Sequence, residues 1–539
     1  MSRLNKLNTG VLATTKVKAP DTINRQGHAA YSLGDELRLL SMLNSLKLET
    51  QCYRSTDKQM LELIELVEKV ARKDPYLAAQ CIVWSRWEGE GMRTTSHVAA
   101  AALASYISGK EWAKRFYDAY DKKNKRGGCI CRPDDMSEIK IAYFSMNAPH
   151  KVSMAMKKGF KSYIESLPPY QMFKYKKPVI DISNLVHPNP NVTQDIVVDN
   201  KRVKSLTALM TGMHVSANTW EARQSAAGQE IAEQVRKGEL TAQEAELALD
   251  KAKSENWNDL LLKDNLGILA ALRNIRNILK TANINSIKKL CSMLEDVKRI
   301  KEGNIMPMQI DTAYDIVSSE FATTETGKLI MRSLLKGYEL SVANLGPALP
   351  GRNLVILDCS GSMAWSNIYN TRTGTASRSR TCLDAASLVA ATILKATGGD
   401  LIMFGSGAKI GSYNPMQNVF DIAHSLRVCN MGGTNLATAF DLVAKNWSNI
   451  QYDRIFILSD NECNGGNNLI AYKNLLSKCG ASQLPYIYSV DMAAYGTTPI
   501  KHDGRVNYYY GFGYAMFDDV AKMEFNPEAH IEKVKQIVI

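Results

Sequence analysis

From about Leu33 to Leu340 the apolar residues recur at helical spacing, and from Asn353 onwards they gather into short unbroken runs. The first pattern predicts helices. Asp35–Lys47 opens after Ser32 and Gly34 with apolar positions three and four apart. The next helix, near Asp57–Arg72, aligns Met60, Leu63, Ile64, Val67, Val70 and Ala71 on one face. His97–Ile107 is alanine-rich, which suits a helix packed closely on both sides. Thr241-Ala-Gln-Glu244 is a capping box ahead of another long helix. No strand signal interrupts this stretch, so the pattern predicts a HEAT-like α-solenoid of paired helices.

The period changes after the turn-rich segment SVANLGPALPGRN, with Gly346, Pro347, Pro350 and Gly351. The runs Asn353–Leu357, Asp400–Phe404, Asp453–Leu458 and Pro485–Val490 read as buried strands. Between them Leu383–Ala396, Leu436–Trp447 and Asn468–Lys478 read as helices. Apolar strands alternating with amphipathic helices predict a doubly wound, mostly parallel α/β sheet. The expected division is an N-terminal arm over residues 1–30, a helical domain over 31–340, a linker over 341–352 and an α/β domain over 353–539.

Charge separates the two halves. The 539 residues carry a net charge of +12, yet from Ser341 onwards sixteen basic residues face fifteen acidic ones. The first 340 residues hold fifty basic against thirty-nine acidic, so a polyanion would bind there, where Lys and Arg release counterions from phosphates. The ten cysteines form no CxxC pair, and Cys129 and Cys131 lack a neighbouring pair to complete a zinc site. No apolar run approaches a membrane span, and the N-terminus lacks a secretory pattern, so a cytoplasmic monomer is expected.

Candidate chemistry gathers where a doubly wound sheet collects its ligands, beyond the carboxyl ends of its strands. Asp358-Cys359-Ser360-Gly361-Ser362 follows the first strand, Gly432-Gly433-Thr434 precedes a helix, and Asp460 follows another strand. Alternation in D-x-S-x-S aims the carboxylate and both hydroxyls towards one point. These are oxygen donors suited to a hard divalent cation, Mg²⁺ or alternatively Mn²⁺. Enzyme readings find little support. D-C-S-G-S is not G-x-S-x-G, Cys359 points to the packed side, and GxxxxGK[ST] and HExxH are absent. A metal-dependent phosphodiesterase would want more clustered carboxylates.

D-x-S-x-S followed by a distant Thr and an Asp after a strand resembles the metal-ion-dependent adhesion site of von Willebrand A domains. The resemblance implies Ser360, Ser362 and Thr434 as direct ligands, with Asp358 and Asp460 acting directly or through water. It also implies an open coordination position that takes a carboxylate from a partner. Trp220 and Glu221 in NTWEARQS, the run LGILAALRNIRNIL (Leu266–Leu279), Met306-Pro-Met-Gln-Ile310 and a C-terminal A domain together resemble the Ro ribonucleoprotein autoantigen family. In that family the helical part is the TROVE module.

That resemblance implies a helical ring closed by the A domain. Structured small non-coding (Y-like) RNA would bind outside, and single-stranded 3′ ends of misfolded RNA would enter a central channel. An exoribonuclease or other protein could engage the metal site, and no catalysis is required. Candidate RNA contacts are Lys157, Lys158 and Lys161, then Lys174, Lys176 and Lys177 leading to His187-Pro188-Asn189-Pro190. Tyr170, Phe173 and Tyr175 beside them suit base stacking. Ile268, Leu272, Ile275 and Leu279 make a buried stripe, leaving Arg273, Arg276, Asn277 and Lys280 for RNA or for neighbouring carboxylates. The rival reading is a metal-dependent, adhesion-type protein-interaction module on a helical scaffold that binds no RNA.

Overall fold

A computed structural model describes the protein except residues 1–16, 47, 147–150, 214–219, 304, 374–375, 428–430, 480–483, 504, 525 and 527. The chain forms two compact units that do not follow its linear order. One runs to Tyr106 and resumes at Met306–Met308 and Val342–Val538. The other comprises Ile107–Ile305 and Gln309–Ser341, with Ile539.

The first unit is built on a six-stranded sheet. Its strands are β1 (Asn353–Asp358), β2 (Asp400–Phe404), β3 (Ala408–Ile410), β4 (Arg454–Ser459), β5 (Tyr486–Asp491) and β6 (Val506–Tyr510). Their spatial order is β3-β2-β1-β4-β5-β6, parallel except for β3, which runs antiparallel to β2. The chain therefore works outward from β1 in one direction and then restarts at β4 on its other side. That reversal is the switch point at which such sheets bind ligands. The expected strands are present, Asp400–Phe404 with its expected bounds and the other three differing by a residue. β3, β6 and a hairpin pairing Asn367–Thr373 with Ala376–Thr381 were not anticipated.

Helices cover the sheet because its strands are apolar on both sides. Leu354, Ile356, Ile455 and Ile457 pack with Leu436, Phe440, Leu475 and Leu476 on one face. Cys382–Thr397 lies against β1, entered through a capping box of Thr381 and Asp384 and ended by Gly398 in the left-handed region. The turn-rich segment before β1 holds a short helix, Leu345–Ala348, whose Leu345 is buried together with Leu349.

The N-terminal residues belong to this same unit. Thr22–Ile23 pairs with Ala29–Ser32, which pairs in turn with Thr497–Thr498. Helices Asp35–Ser45, Thr56–Lys73, Pro75–Trp87 and Arg93–Leu103 follow, and Ser41 meets the Tyr508 hydroxyl of β6 at 2.9 Å. The expected apolar face of the second helix is buried through Leu63, Val67, Val70 and Ala71.

The second unit is mostly helical, as the periodicity predicts, and Thr241 with Glu244 forms the expected capping box. It also contains strands that contradict the expectation of uninterrupted helices. Asp195–Val198 pairs with Lys201–Lys204, and Tyr120–Asp121 pairs with Arg126–Gly127. The first hairpin turns through Asp199 and Asn200, at φ 49° and 61°. Both central residues are left-handed, as a tight hairpin turn requires, and Asp and Asn tolerate that region well. Leu266–Leu279 is two helices, Ile268–Arg273 and Ile275–Thr281, separated at Asn274 with φ −106° and ψ 13°. Its stripe of Ile268, Leu272, Ile275 and Leu279 is buried as expected.

Helices Ile284–Leu294 and Glu325–Ser341 approach closely because Gly337 has no side chain. A β-carbon there would collide with the Leu294 carbonyl. Gly337→Ala is therefore expected to destabilise the protein, towards the upper end of the roughly 1–3 kcal/mol typical of overpacking. A lowered thermal midpoint by circular dichroism would show it, and an unchanged one would mean the helices can part without loss.

Candidate metal centre and basic surface

Asp358 ends β1 with its carboxyl group fully buried. Its Oδ1 accepts the Ser360 amide at 2.9 Å, and its Oδ2 accepts the Ser459 hydroxyl at 2.5 Å. Ser459 is the last residue of β4, the neighbouring strand across the switch point. Ser360 caps the short helix Gly361–Trp365, and this turn brings its Oγ to 3.2 Å from Ser362 Oγ. Cys359 is buried, as expected.

Backbone bonds place the remaining residues. The Cys359 amide donates to Phe404 O at 2.8 Å, and its carbonyl accepts Met431 N at 2.9 Å. The Gly361 amide donates to Gly432 O at 2.8 Å, so the Gly432-Gly433-Thr434 loop is stitched onto D-x-S-x-S. Gly432 sits at φ 77°, a conformation that favours glycine. Thr434 is buried, and its amide donates to Asn464 Oδ1 at 2.9 Å while its carbonyl accepts Asn464 N. Asp460 is buried one residue past β4, and its Oδ1 accepts the Glu462 amide at 3.1 Å. Its Oδ2 has no hydrogen-bond partner at normal distance. The five expected ligand residues thus lie on three loops at one edge of the sheet.

Burial raises both carboxyl groups above their ordinary range. Asp358 is raised by burial and by Asp460, against the hydroxyls of Ser459 and Ser360. Asp460 is raised by burial, eased by the nearby Ser362 hydroxyl and the Glu462 amide. Glu462 is pushed up to about 8 by burial and Asp460, and Asp491, at the end of β5, to about 6 by burial. An oxygen-only donor set with buried, uncompensated acid groups and an orphaned Asp460 Oδ2 fits a hard divalent cation. Among the described residues no group of three or more His, Cys, Asp or Glu is arranged to hold a metal ion. Hydroxyl oxygens would therefore have to complete the donor set.

Sequence reasoning missed the N-terminal contribution to this edge. Asn24 Nδ2 donates to Cys463 O at 2.7 Å, and the Arg25 amide donates to Glu462 Oε2 at 2.8 Å. Arg25 and the buried Arg54 both bind Glu62, and Arg54 also reaches Ala493 O at 2.9 Å. The Cys52 amide donates to Ser366 Oγ at 3.1 Å. Burial pushes the Tyr53 phenol up to about 12, against the nearby Ser362 hydroxyl. More than three hundred residues separate Asn24, Arg25, Cys52 and Arg54 from Cys463, Glu462, Ser366 and Ala493, and no local pattern announces these contacts.

The basic candidates lie in the second unit. Lys157, Lys158 and Lys161 sit on helix Met154–Ser166, which packs against Lys176–Val186 carrying Lys176 and Lys177. Lys158, Lys174, Lys176, Lys177 and His187 are exposed, and Lys157 and Lys161 are half-buried. His187 ends its helix in the left-handed region at φ 50°, and the Asn189 amide ties the following turn to Glu165 at 2.7 Å. Lys174 Nζ lies 5.8 Å from the Tyr170 ring and 5.7 Å from Tyr175, while Arg132 covers Tyr175 at 5.4 Å. Phe173 is buried and unavailable for base stacking, which corrects that expectation. Arg273 is exposed, whereas Arg276 makes a paired contact with Glu320. Of the two uses expected for this helix face, Arg276 takes the carboxylate one. The side chains of Trp220 and Glu221 lie outside the described residues.

No protein-family model and no curated protein sequence matches this chain. Comparison with solved structures finds the crystal structure of the Deinococcus radiodurans Ro (RSR) protein. It aligns with 91% of this chain and 100% of its own, at 15% identity and a TM-score of 0.52. The chain has the fold of a Ro protein. At this identity the likeness is one of architecture, and it covers the helical unit and the six-stranded sheet together. Among the described residues no helix is long and apolar enough to cross a membrane.

Without added divalent ions, the raised carboxyl groups make stability depend on pH. Glu462 and Asp491 keep their protons to higher pH folded than unfolded, so the unfolded chain gives them up first. Their contribution is fully present below the ordinary carboxylate range and is lost as pH rises through about 6 and about 8. Thermal melts in chelator are expected to show a midpoint falling across this window. A midpoint that rises instead would mean that these groups ionise freely in the folded chain.

Proposed function

We propose that this protein is the RNA-binding scaffold of a small ribonucleoprotein. Its helices would close into a HEAT-like ring that binds structured small non-coding RNA outside and single-stranded 3′ ends in a central channel. The observation that carries this reading is the Ro-like fold over 91% of the chain. The excess of positive charge in the first 340 residues supports it. So does the exposure of Lys158, Lys174, Lys176, Lys177 and His187 on packed helices, where rigid placement suits phosphate contact.

In the sheet unit, Ser360, Ser362 and Thr434 would hold Mg²⁺, or alternatively Mn²⁺, with Asp358 and Asp460 direct or through water. A bound cation would supply charge compensation for the buried acids. Ser459 orients Asp358, and the Glu462 amide orients Asp460. None of these groups needs to act as a catalyst. Handing an RNA to a nuclease docked at this site requires binding alone.

A salt series of titrations against a stem-loop RNA with a single-stranded 3′ tail tests the scaffold. Wild type is expected to bind with steep salt dependence, and Lys174→Ala/Lys176→Ala/Lys177→Ala to shallow the log–log slope by about 2–3. Absence of binding at low salt would sink the RNA reading. For the cation, Mg²⁺ is expected to raise the melting midpoint more at pH 8 than at pH 5, because ligands must be deprotonated. Asp460→Asn should remove that gain, and a gain that survives would place the ion elsewhere.

A further inference from the structure

Thr434 reaches the candidate metal centre on a loop that is held almost residue by residue. The Ser406 amide donates to Met431 O at 2.9 Å, the Gly433 amide to Ser406 Oγ at 2.8 Å, and the Asn435 amide to Gly405 O at 2.7 Å. Thr434 itself is held by another loop. Asn464 Oδ1 takes the Thr434 amide at 2.9 Å, and the Asn464 amide donates to Thr434 O at 2.9 Å. The peptide units on both sides of Thr434 are thereby fixed. A β-branched side chain then has few χ1 choices, so the hydroxyl inherits that placement. Gly433 leaves room for these bonds, because a β-carbon there would stand 3.0 Å from Asn464 Oδ1 and 3.3 Å from Ser406 Oγ.

Asn464 also follows closely on Asp460, another of the candidate donors, and the stretch between them is pinned. Asn461, at φ 64°, donates its amide to Ser459 Oγ at 3.0 Å. The Glu462 amide donates to Asp460 Oδ1 at 3.1 Å, and Cys463 O accepts Asn24 Nδ2 at 2.7 Å. One short loop therefore sets the position of Asp460 and, through Asn464, that of Thr434. Rigidity of this kind separates cations. Mg²⁺ demands near-octahedral geometry at about 2.0–2.1 Å, whereas Ca²⁺ accepts bonds of about 2.3–2.6 Å in flexible shells. We infer that Asn464 is a positioning residue that fixes Thr434 relative to Asp460 and thereby makes the site select Mg²⁺ over Ca²⁺. The inference rests on the proposed cation, and it adds the residue that sets which ion fits. Asn464 acts through Thr434 and need not touch the ion.

The test uses the full chain, with bound Mn²⁺ followed by electron paramagnetic resonance and displaced by Mg²⁺ or Ca²⁺. The readout is the ratio of Ca²⁺ to Mg²⁺ concentrations that release half the Mn²⁺, which does not depend on Mn²⁺ affinity itself. Asn464 is exposed, so Asn464→Ala should fold with a nearly unchanged melting midpoint. Wild type is expected to give a ratio well above one. Asn464→Ala should lower it about tenfold, the low end of what residues behind metal ligands contribute, through weaker Mg²⁺ binding. Asn464→Asp keeps an acceptor for the Thr434 amide and should restore the ratio, while its added charge strengthens both ions alike. A merely structural role would weaken both ions equally, and an unmoved ratio in Asn464→Ala overturns the inference alone. So does a wild-type ratio near one, or a ratio that stays lost in Asn464→Asp. Failure of wild type to bind Mn²⁺ overturns the cation and the positioning role together.

Discussion

The parallel pairing of β1 with β4 is the constraint on which the candidate metal centre depends. Leu357 faces Leu458, so the next residues along, Asp358 and Ser459, meet at the end of the ladder and bond at 2.5 Å. Because the chain winds outward from β1 and restarts at β4, no crossover helix covers the carboxyl end between them. That gap is where the D-x-S-x-S turn, the Thr434 loop and Asp460 converge. A slip of one residue in this register would send Asp358 to the opposite face of the sheet and scatter the donors.

The arrangement is costly for a chain on its own. Burying an ionised carboxylate without a counter-charge costs several kcal/mol, and Asp358, Asp460, Glu462 and Asp491 are all buried along three neighbouring strand ends. Amides and hydroxyls of Ser360, Ser459, Glu462, Ala493 and Ala494 and the Tyr508 phenol offset part of it. The rest appears as carboxyl groups shifted above their ordinary range. A divalent cation would offset the remainder, which links stability, pH and ion binding at one place in the fold.

The N-terminal segment extends this logic. Its strands continue onto Thr497–Thr498, and Asn24, Arg25 and Arg54 bond to loops that follow β4 and β5. Arg54 is fully buried and shares Glu62 with Arg25, an ion network whose disruption would leave a charge uncompensated. The loops that carry the donors are therefore braced from outside the sheet as well as from within it.

Much of this was legible in the chain itself. Apolar runs of strand length fixed the four central strands, because residues buried on both faces have no polar alternation to blur them. Helical periodicity located the buried stripe of Ile268, Leu272, Ile275 and Leu279. The D-x-S-x-S turn, Thr434 and Asp460 were expected at one sheet edge because each follows or precedes an element that the pattern predicts, and the structure brings them together there. Short or edge elements escaped: β3 has three residues, and the Asp195–Lys204 hairpin depends on two left-handed turn residues that carry no glycine. Partnerships distant in sequence lay beyond reach. Only packing decided that Arg276 meets Glu320, that Phe173 turns inward, and that Cys52 reaches Ser366, since each depends on which surfaces the whole chain brings into contact.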